Sequence, residues 1–232
     1  SYPGYDNNRL ANTMDSAYYS KLLHDKSSPL YNNATQERTA PGSTYKPLVA
    51  VAGLTEGVID SQSTVTCTGV YDKTYLSPKC WIYPKSHGTL NVVGGIQHSC
   101  NVFFFEVGYR LGLTGQGTSS GTEERSEEQG LATLAKYATS FGLNQTTGIE
   151  IPESDPKISD EDSVRSAIGQ GTNNYTTTQL ARYITAVANK GTVYNLTLLD
   201  KVTDVSGQVV EQKEPDVLNT ITDVSSGTWS TV

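Results

Sequence analysis

Residues 40–57 read APGSTYKPLVAVAGLTEG. A proline and a glycine near the start of this segment indicate a turn, and the apolar residues that follow predict a helix closed by the final glycine. Ser43 and Lys46 stand three residues apart near the predicted helix start, so their side chains lie on one face. A hydroxyl beside an amine can be a nucleophile beside its base if burial or a neighbouring cation lowers the pKa of the lysine. The same pattern arises by chance at solvated helix starts, so it needs support from the rest of the chain.

A second polar motif, Ser99-Cys100-Asn101, precedes the segment Asn101–Leu111, which carries apolar residues on all sides. This composition predicts a buried helix that ends at the following glycine. Ser99 follows Ser43 by 56 residues. A serine and an asparagine in front of a helix can also serve only to cap its N-terminus, and the residues alone leave that alternative open.

Together, the two motifs resemble those of the penicillin-recognising serine enzymes, and their context is similar to the class B penicillin-binding protein transpeptidase domain. Residues 41–47 resemble the nucleophile motif of that family, and residues 99–104 resemble its Ser-x-Asn motif. The resemblance covers nearly the whole chain, and the residues around Cys80 and Cys100 are similar to the elongation-type penicillin-binding protein 2 subgroup. Further landmarks of the family occur in order at residues 87–92, 141–143 with 147–149, and 169–171 followed by 178–181.

The resemblance implies an α+β fold, the penicillin-binding protein / serine β-lactamase-like transpeptidase fold. In it, a helical lobe that holds Ser43 and Ser99 packs on an antiparallel sheet. The third motif of the family, Lys-Thr-Gly or similar, does not occur between Gly171 and Val232. We therefore expect residues 1–232 to be a partial transpeptidase domain, incomplete at its C-terminal end and without the N-terminal pedestal and membrane anchor of the family.

The same resemblance implies a role for each motif residue. Ser43 is the acylated nucleophile, Lys46 its general base, Ser99 the proton relay to the leaving amine, and Asn101 the amide that orients the substrate. The implied function is that of a serine D-Ala-D-Ala transpeptidase that cross-links peptidoglycan and is acylated and inhibited by β-lactams. One alternative is a β-lactam sensor or slow β-lactamase on the same fold. The other is a non-catalytic, zinc-stabilised module of cell-wall assembly.

Three cysteines and a histidine fall within one segment: Cys67, Cys80, His87 and Cys100 are separated by 13, 7 and 13 residues. Cysteine sulfur and imidazole nitrogen hold Zn²⁺ tetrahedrally in structural sites, although this spacing lacks the Cys-x-x-Cys clips of zinc fingers. The subgroup resemblance implies structural zinc at these positions, with no organic cofactor. The alternatives are a Cys67–Cys80 disulfide and buried unpaired thiols, and His98 is a second candidate imidazole.

The overall charge limits the classes of partner. The chain has 232 residues and a formal net charge of -7, which disfavours nucleic acid because binding to its backbone needs a basic surface. No apolar run approaches the roughly 20 residues that span a bilayer. The resemblance implies peptidoglycan stem peptides and β-lactams as ligands and a membrane glycan polymerase of the elongation machinery as partner. It also implies a location at the outer face of the bacterial cytoplasmic membrane, through an N-terminal anchor outside this chain.

Two polar segments are predicted to be irregular. Residues 113–130 are of low complexity, acidic and almost free of large apolar residues, which indicates a mobile surface loop. A helix is predicted to begin after this loop, at Leu131. In residues 67–88, aromatic residues alternate with glycine, proline and lysine without a helical period, which indicates a loop-rich excursion.

The C-terminal third contains both periods of regular structure. Leu180, Ile184 and Val187 recur at helical spacing and predict an amphipathic helix over residues 176–190. The segments at 192–203 and 208–211 flank Ser206-Gly207, which predicts a strand pair joined by a tight turn.

Overall fold

The computed structural model describes residues 2–11, 13–114 and 124–232. Within these residues the helices are of the α type, apart from a 3-10 helix at Gly42–Tyr45. None of the helices in the described residues is long and apolar enough to cross a membrane. The α-helices are α1 (Asn8–Ala11), α2 (Ser16–His24), α3 (Lys46–Thr55), α4 (Val92–Gln97), α5 (Asn101–Leu111), α6 (Glu127–Ser140), α7 (Ser163–Ser166), α8 (Thr177–Ala188) and α9 (Ser226–Thr231).

The described strands are short, and they form antiparallel pairs. The pairs are β1 with β6, β2 with β3, β4 with β5, β7 with β10, and β8 with β9. The predicted α+β class with antiparallel strands is therefore confirmed, although within the described residues the strands form two-stranded sheets rather than one large sheet. The strands are β1 (Arg38–Thr39), β2 (Val65–Cys67), β3 (Gly88–Leu90), β4 (Leu113–Thr114), β5 (Glu124–Arg125), β6 (Tyr175–Thr176), β7 (Thr192–Tyr194), β8 (Lys201–Thr203), β9 (Val209–Gln212) and β10 (Val217–Thr220).

Helices α3 and α5 form the centre of the hydrophobic core. Residues 48–52 of α3 are 0% exposed, and α5 buries apolar side chains on all sides, as its sequence predicts. Gly53 allows the two helices to approach closely, because a Cβ at that position would lie 2.8 Å from Cγ1 of Val107. Lys46 is the first residue of α3 and Asn101 is the first residue of α5. The packing of these two helices therefore brings together the two N-termini that carry the motif residues.

The irregular excursion predicted over residues 67–88 is confirmed. Strands β2 and β3 pair with Cys67 opposite Gly88, so the loop between them is closed at its base. Its first part is attached to α5, where Glu106 accepts hydrogen bonds from Tyr71 Oη and from Lys73 Nζ, both at 2.8 Å. This closure places Cys67 next to the end of the loop that carries His87.

The mobile loop predicted over residues 113–130 is incorrect at both flanks. β4 pairs with β5, and α6 begins at Glu127 rather than at Leu131. The side chain of Ser126 caps this helix by accepting the N–H of Gln129, and two glutamates occupy its first turn, where acidic groups complement the helix dipole. Two of the acidic residues that indicated a loop, Glu127 and Glu128, therefore form a helix start. Residues 115–123, the middle of the predicted loop, lie outside the described residues.

The strand pair predicted near the C-terminus is only partly correct. β8 and β9 form a hairpin around Ser206-Gly207, as predicted. β7, at the start of the segment 192–203, pairs instead with β10 and packs against α8. Val193 of β7 is 0% exposed. A turn motif predicts that a strand pairs with the next strand along the chain. The pairing of β7 with β10 depends instead on the burial of β7 against helix α8.

Candidate active site

Ser43 lies in the 3-10 helix that precedes α3, and it is exposed. The turn before it is built on Gly42, whose φ of 55° favours glycine and whose N–H donates to the Gly169 carbonyl at 3.0 Å. A Cβ at Gly169 would overlap the Gly42 carbonyl oxygen. The Gly-Gln-Gly segment that begins at Gly169 therefore supports the turn that presents Ser43.

Lys46 is 1% exposed, and its amine is fully engaged. Nζ donates to the Ser99 carbonyl at 2.7 Å, to Asn101 Oδ1 at 2.7 Å and to Ser99 Oγ at 3.0 Å. Burial lowers the pKa of Lys46 to about 8, against the opposing effect of negative charge at Cys80 and Cys100. An amine with such a pKa is neutral often enough near physiological pH to accept a proton.

Ser99 and Asn101 lie at the junction between α4 and α5. The backbone of Ser99 is left-handed, with a φ of 50°, and its Oγ donates to Ser43 Oγ at 2.9 Å. The N-cap residue of α5 is Cys100, and neither Ser99 nor Asn101 caps that N-terminus with its side chain. Ser99 and Asn101 are therefore not a capping pair, and both direct polar atoms at the Lys46 amine.

The structure brings the four predicted catalytic residues into one hydrogen-bonded chain. The chain runs from Ser43 through Ser99 to Lys46, and Asn101 contacts the amine. The backbone N–H of Lys46 donates to the Ser43 carbonyl, but within the described residues the Lys46 amine makes no hydrogen bond to the Ser43 hydroxyl. The spacing of the first motif suggests a direct contact between these two residues, whereas the structure connects them through the hydroxyl of Ser99.

The four predicted metal ligands also lie together. The three sulfur atoms of Cys67, Cys80 and Cys100 and one imidazole nitrogen of His87 are all within 4.8 Å of one another. Cys67 Sγ and Cys80 Sγ are each 3.6 Å from His87 Nδ1. Tetrahedral Zn²⁺, with bonds of about 2.3 Å to sulfur and about 2.1 Å to nitrogen, separates these two atom types by about 3.6 Å. His98 lies outside this group of four.

The surroundings of the four candidate ligands bear on whether these residues hold a metal. The three thiols are 0–2% exposed and form no disulfide. Within the described residues, His87 Nε2 is buried without a hydrogen-bond partner, so no carboxylate or carbonyl fixes the ring. Burial raises the pKa of Cys100 to about 12, whereas at Cys80 the opposing backbone N–H groups outweigh burial and lower the pKa. A divalent cation stabilises coordinated thiolates, and three cysteine sulfurs with one imidazole are a donor set that fits zinc.

Trp81 is a site residue that the sequence did not predict. Its Nε1 donates to the Ser99 carbonyl at 3.1 Å and to the His98 carbonyl at 3.3 Å, although 62% of the residue is exposed. Its position after Cys80 is visible in the sequence. No local pattern, however, indicates where an irregular loop directs an indole.

The chain is similar to known proteins along its whole length. The family model for the penicillin binding protein transpeptidase domain matches residues 1–232. The chain is 31% identical over 251 residues to the peptidoglycan D,D-transpeptidase MrdA of Escherichia coli strain K12, with 99% of this chain and 36% of that protein covered. It is 28% identical over 203 residues to penicillin-binding protein H of Bacillus subtilis, with 80% and 27% covered.

Solved structures show the same fold. A structure of Pseudomonas aeruginosa PBP2 in complex with WCK 5153 has a TM-score of 0.77 at 24% identity, and the match covers 100% of this chain and 51% of that one. An imipenem acyl-enzyme of penicillin-binding protein A from Mycobacterium tuberculosis has a TM-score of 0.78 at 20% identity, with 100% and 51% covered. The chain spans about a third of the length of the MrdA proteins that it matches. With the family model matched along its whole length, the chain belongs to the penicillin-binding protein transpeptidase domain family.

Proposed function

We propose that the protein carrying this chain is a serine D-Ala-D-Ala transpeptidase of peptidoglycan cross-linking, with Ser43 as its acylated nucleophile. The observation that carries the proposal is the hydrogen-bonded chain from Ser43 through Ser99 to Lys46. It connects an exposed hydroxyl with a buried amine, and burial lowers the pKa of that amine. This arrangement can activate a serine without a histidine. The relatives named peptidoglycan D,D-transpeptidase support the same reaction.

The acceptors around Lys46 indicate how the proton moves. Two of them, the Ser99 carbonyl and Asn101 Oδ1, can only accept hydrogen bonds. A neutral amine has two N–H groups and one lone pair. With the two N–H groups directed at these oxygens, the lone pair faces Ser99 Oγ at 3.0 Å. Once the Ser99 hydroxyl has turned from Ser43 toward this lone pair and the Ser43 hydroxyl has turned toward Ser99, the Ser43 proton passes to Ser99 Oγ while the Ser99 proton passes to Lys46.

The same groups complete the acyl transfer. Ser43 Oγ attacks the carbonyl of the penultimate D-Ala of a stem peptide, and the C–N bond to the terminal D-Ala breaks. The proton held by Lys46 returns through Ser99 to the leaving amine. An amine of a neighbouring strand then attacks the acyl-enzyme, and the proton it loses replaces the one on Ser43. Asn101 keeps its NH₂ group free of Lys46, so it can donate to a substrate carbonyl.

A β-lactam would acylate Ser43 by the same attack, and we expect the adduct to be long-lived. Within the described residues, no aspartate or glutamate hydrogen-bonds to Ser43, Lys46, Ser99 or Asn101. The described residues therefore offer a deacylating water no carboxylate base bonded to these four groups, which favours a transpeptidase over a β-lactamase. A solved relative with this fold is described as an imipenem acyl-enzyme.

Covalent labelling tests this function. The full-length protein should form a stable adduct with a fluorescent penicillin, and mass spectrometry of the digested adduct should place it on Ser43. The Ser43→Ala variant should lose the label, while Ser61→Ala, which removes an exposed serine from a turn, should keep it. If Ser43→Ala labels as strongly as the parent, the nucleophile is a different residue. If neither labels, the non-catalytic assembly module is the better interpretation.

We also propose that Cys67, Cys80, His87 and Cys100 hold one structural Zn²⁺. The support is that the four ligand atoms lie within 4.8 Å of one another, that two sulfur–nitrogen distances match tetrahedral zinc, and that the three buried thiols form no disulfide. The metal would supply charge neutralisation and cross-linking of the loop, not a step of the reaction. Cys100 lies between Ser99 and Asn101, so this site would fix the backbone of both neighbours.

The relatives also suggest where the whole protein acts and with which kind of partner. We infer that it acts on stem peptides at the outer face of the bacterial cytoplasmic membrane, beside a glycan polymerase of the elongation machinery. Two structures with this fold are described as complexes, and the second supports a partner of that kind. One is described as a complex between PBP2 and MreC from Helicobacter pylori, and the other as a peptidoglycan synthase complex that coordinates polymerization and crosslinking. Co-purification of the full-length protein with a polymerase subunit would test the assignment.

A further inference from the structure

The carbonyl oxygen of Ser99 accepts hydrogen bonds from two residues of very different exposure. Lys46 Nζ, on a residue that is 1% exposed, donates to it at 2.7 Å. Trp81 Nε1, on a residue that is 62% exposed, donates to it at 3.1 Å. A carbonyl oxygen has two lone pairs, so these two donors saturate it. The indole and the amine of the site are therefore joined through one backbone atom.

The backbone at Ser99 requires such support. Its φ of 50° lies in the left-handed region, which costs a residue other than glycine free energy and is kept only where surrounding contacts impose it. The carbonyl and the side chain belong to the same residue. A rotation that released the carbonyl from Trp81 would also move Oγ away from Ser43, which it contacts at 2.9 Å. A contact that fixes the Ser99 carbonyl therefore also fixes the position of the Ser99 hydroxyl.

The exposure of Trp81 argues that its hydrogen bond is not a by-product of burial. An indole at the surface can donate to water, so nothing forces Nε1 to find a partner in the protein. The N–H is nevertheless directed at two carbonyls, those of His98 and Ser99. The ring centroid also lies 5.3 Å from that of His87, which limits the rotation of the indole. Trp81 is thus a fixed donor at the edge of the site.

We propose that Trp81 is a positioning residue for acylation: its indole N–H holds the Ser99 carbonyl and so keeps the Ser99 hydroxyl and the Lys46 amine in line with Ser43. The inference rests on the proposed function, since acylation of Ser43 is the step that it supports. It assigns Trp81 no contact with substrate. A residue of this kind affects the rate of the chemical step and not the non-covalent binding that precedes it.

The hydrogen bond is tested without any reaction. In ¹⁵N–¹H spectra of the protein, the variants Trp81→Phe and Trp229→Phe assign the two indole signals of this chain. Hydrogen exchange of the Trp81 indole N–H should be at least about tenfold slower than that of free tryptophan, in spite of its exposure. Exchange as fast as that of free tryptophan would overturn the proposal, whatever the protein does with penicillin.

The effect on catalysis is tested with the same two variants. Stopped-flow acylation by a chromogenic penicillin separates the non-covalent dissociation constant from the acylation rate constant. Trp81→Phe should lower the rate constant about tenfold, the effect of one lost hydrogen bond, with the dissociation constant within about twofold of the parent. Trp229, whose ring packs on Phe141 far from these contacts, is the matched control, and Trp229→Phe should leave both constants unchanged.

The outcomes separate the inference from the function on which it rests. If the parent is acylated and Trp81→Phe keeps the parental rate constant, the positioning role is overturned and the transpeptidase assignment stands. If Trp81→Phe changes both constants and the melting temperature together, Trp81 is a packing residue and the inference is again overturned. If the parent protein is not acylated at all, the result overturns the proposed function itself, before any effect of Trp81 is considered.

Discussion

The hydroxyl of Ser99 lies 3.0 Å from the amine of Lys46, and this contact joins the proposed base to the nucleophile, because Ser99 Oγ in turn lies 2.9 Å from Ser43 Oγ. A serine that only donated a proton to the leaving group would not need to stand between these two residues. In the proposed mechanism this position gives Ser99 a part in both proton transfers, toward Lys46 during attack and away from it during departure of the amine.

Removal of the Ser99 hydroxyl should therefore block acylation. We choose Ser99→Gly because glycine accepts the φ of 50° without strain, so the backbone can stay in place. Loss of a positioned acid–base group typically costs about 10² to 10⁴ in rate. The acylation rate constant of Ser99→Gly with a fluorescent penicillin should fall within that range. Measurement of single-turnover labelling over time gives this constant directly.

The control for this variant is Ser28→Gly. Ser28 has a φ of 51°, is exposed and lies outside the site, so the same substitution is made at nearly the same backbone conformation. Ser28→Gly should label at the parental rate. Labelling of Ser99→Gly within about threefold of this control would show that the proton reaches Lys46 without Ser99.

Acylation should depend on pH through the ionisation of Lys46. Burial lowers the pKa of Lys46 to about 8, and only the neutral amine can accept the proton from the serine. Below that pKa the amine is protonated, so the second-order acylation constant should rise about tenfold per pH unit and level off above about pH 8. A pH series of labelling rates with a penicillin that is stable over the range gives the midpoint.

Lys46→Arg tests whether charge alone explains this dependence. A guanidinium keeps the positive charge but does not lose a proton in this range, so the variant should not be acylated at any pH of the series. Acylation of Lys46→Arg within a few fold of the parent, or an unchanged midpoint in that variant, would place the base elsewhere.

The residues that could be predicted are those whose positions follow from local rules. Ser43 and Lys46 are one helical turn apart in sequence, and the buried character of α5 follows from its continuous apolar composition. Tertiary contacts could not be predicted in this way. Trp81 contacts the Ser99 carbonyl across 18 residues that include strand β3 and helix α4, and no periodic pattern encodes that path. The sequence likewise showed a Gly-Gln-Gly segment, but not that Gly169 lies against Gly42.

Gly169→Ala should disturb the nucleophile although it lies far from Ser43 in sequence. The φ of Gly169 is 71°, and a methyl group there would overlap the Gly42 carbonyl oxygen and come within 2.7 Å of the Gly42 nitrogen. The turn that presents Ser43 must then shift. We expect a lower free energy of unfolding in urea and a loss of penicillin labelling of at least about tenfold.

Gly57→Ala is the matched control, because it separates backbone strain from the clash. Gly57 has a φ of 72°, and a methyl group added there would have no atom within 4 Å, so alanine adds only the cost of the left-handed conformation, about 1–2 kcal/mol. Gly169→Ala should be destabilised by more than Gly57→Ala, and only Gly169→Ala should lose label. Equal effects of the two substitutions would mean that the contact with Gly42 does not hold the turn.

The last prediction concerns the metal. The purified protein should contain close to one zinc per molecule by elemental analysis, because four suitable ligand atoms lie within 4.8 Å of one another in an otherwise irregular loop. Cys80→Ser, or removal of the metal with a strong chelator, should lower the melting temperature, since structural zinc is coupled to folding. It should also slow acylation, because Cys100 links the metal to Ser99 without contacting the substrate.

Two neighbouring histidines, His87 and His98, supply a matched control for the metal site. His87→Asn should lose zinc, whereas His98→Asn, which changes the neighbouring imidazole at a ring distance of 5.8 Å, should retain it. Equal metal content in the two variants would remove His87 from the ligand set.

The whole site would be excluded by a Cys67–Cys80 bridge found under non-reducing conditions together with substoichiometric metal. In that case Cys100 would be a packing residue between two neighbours of proposed catalytic role, and chelators would leave the acylation rate unchanged.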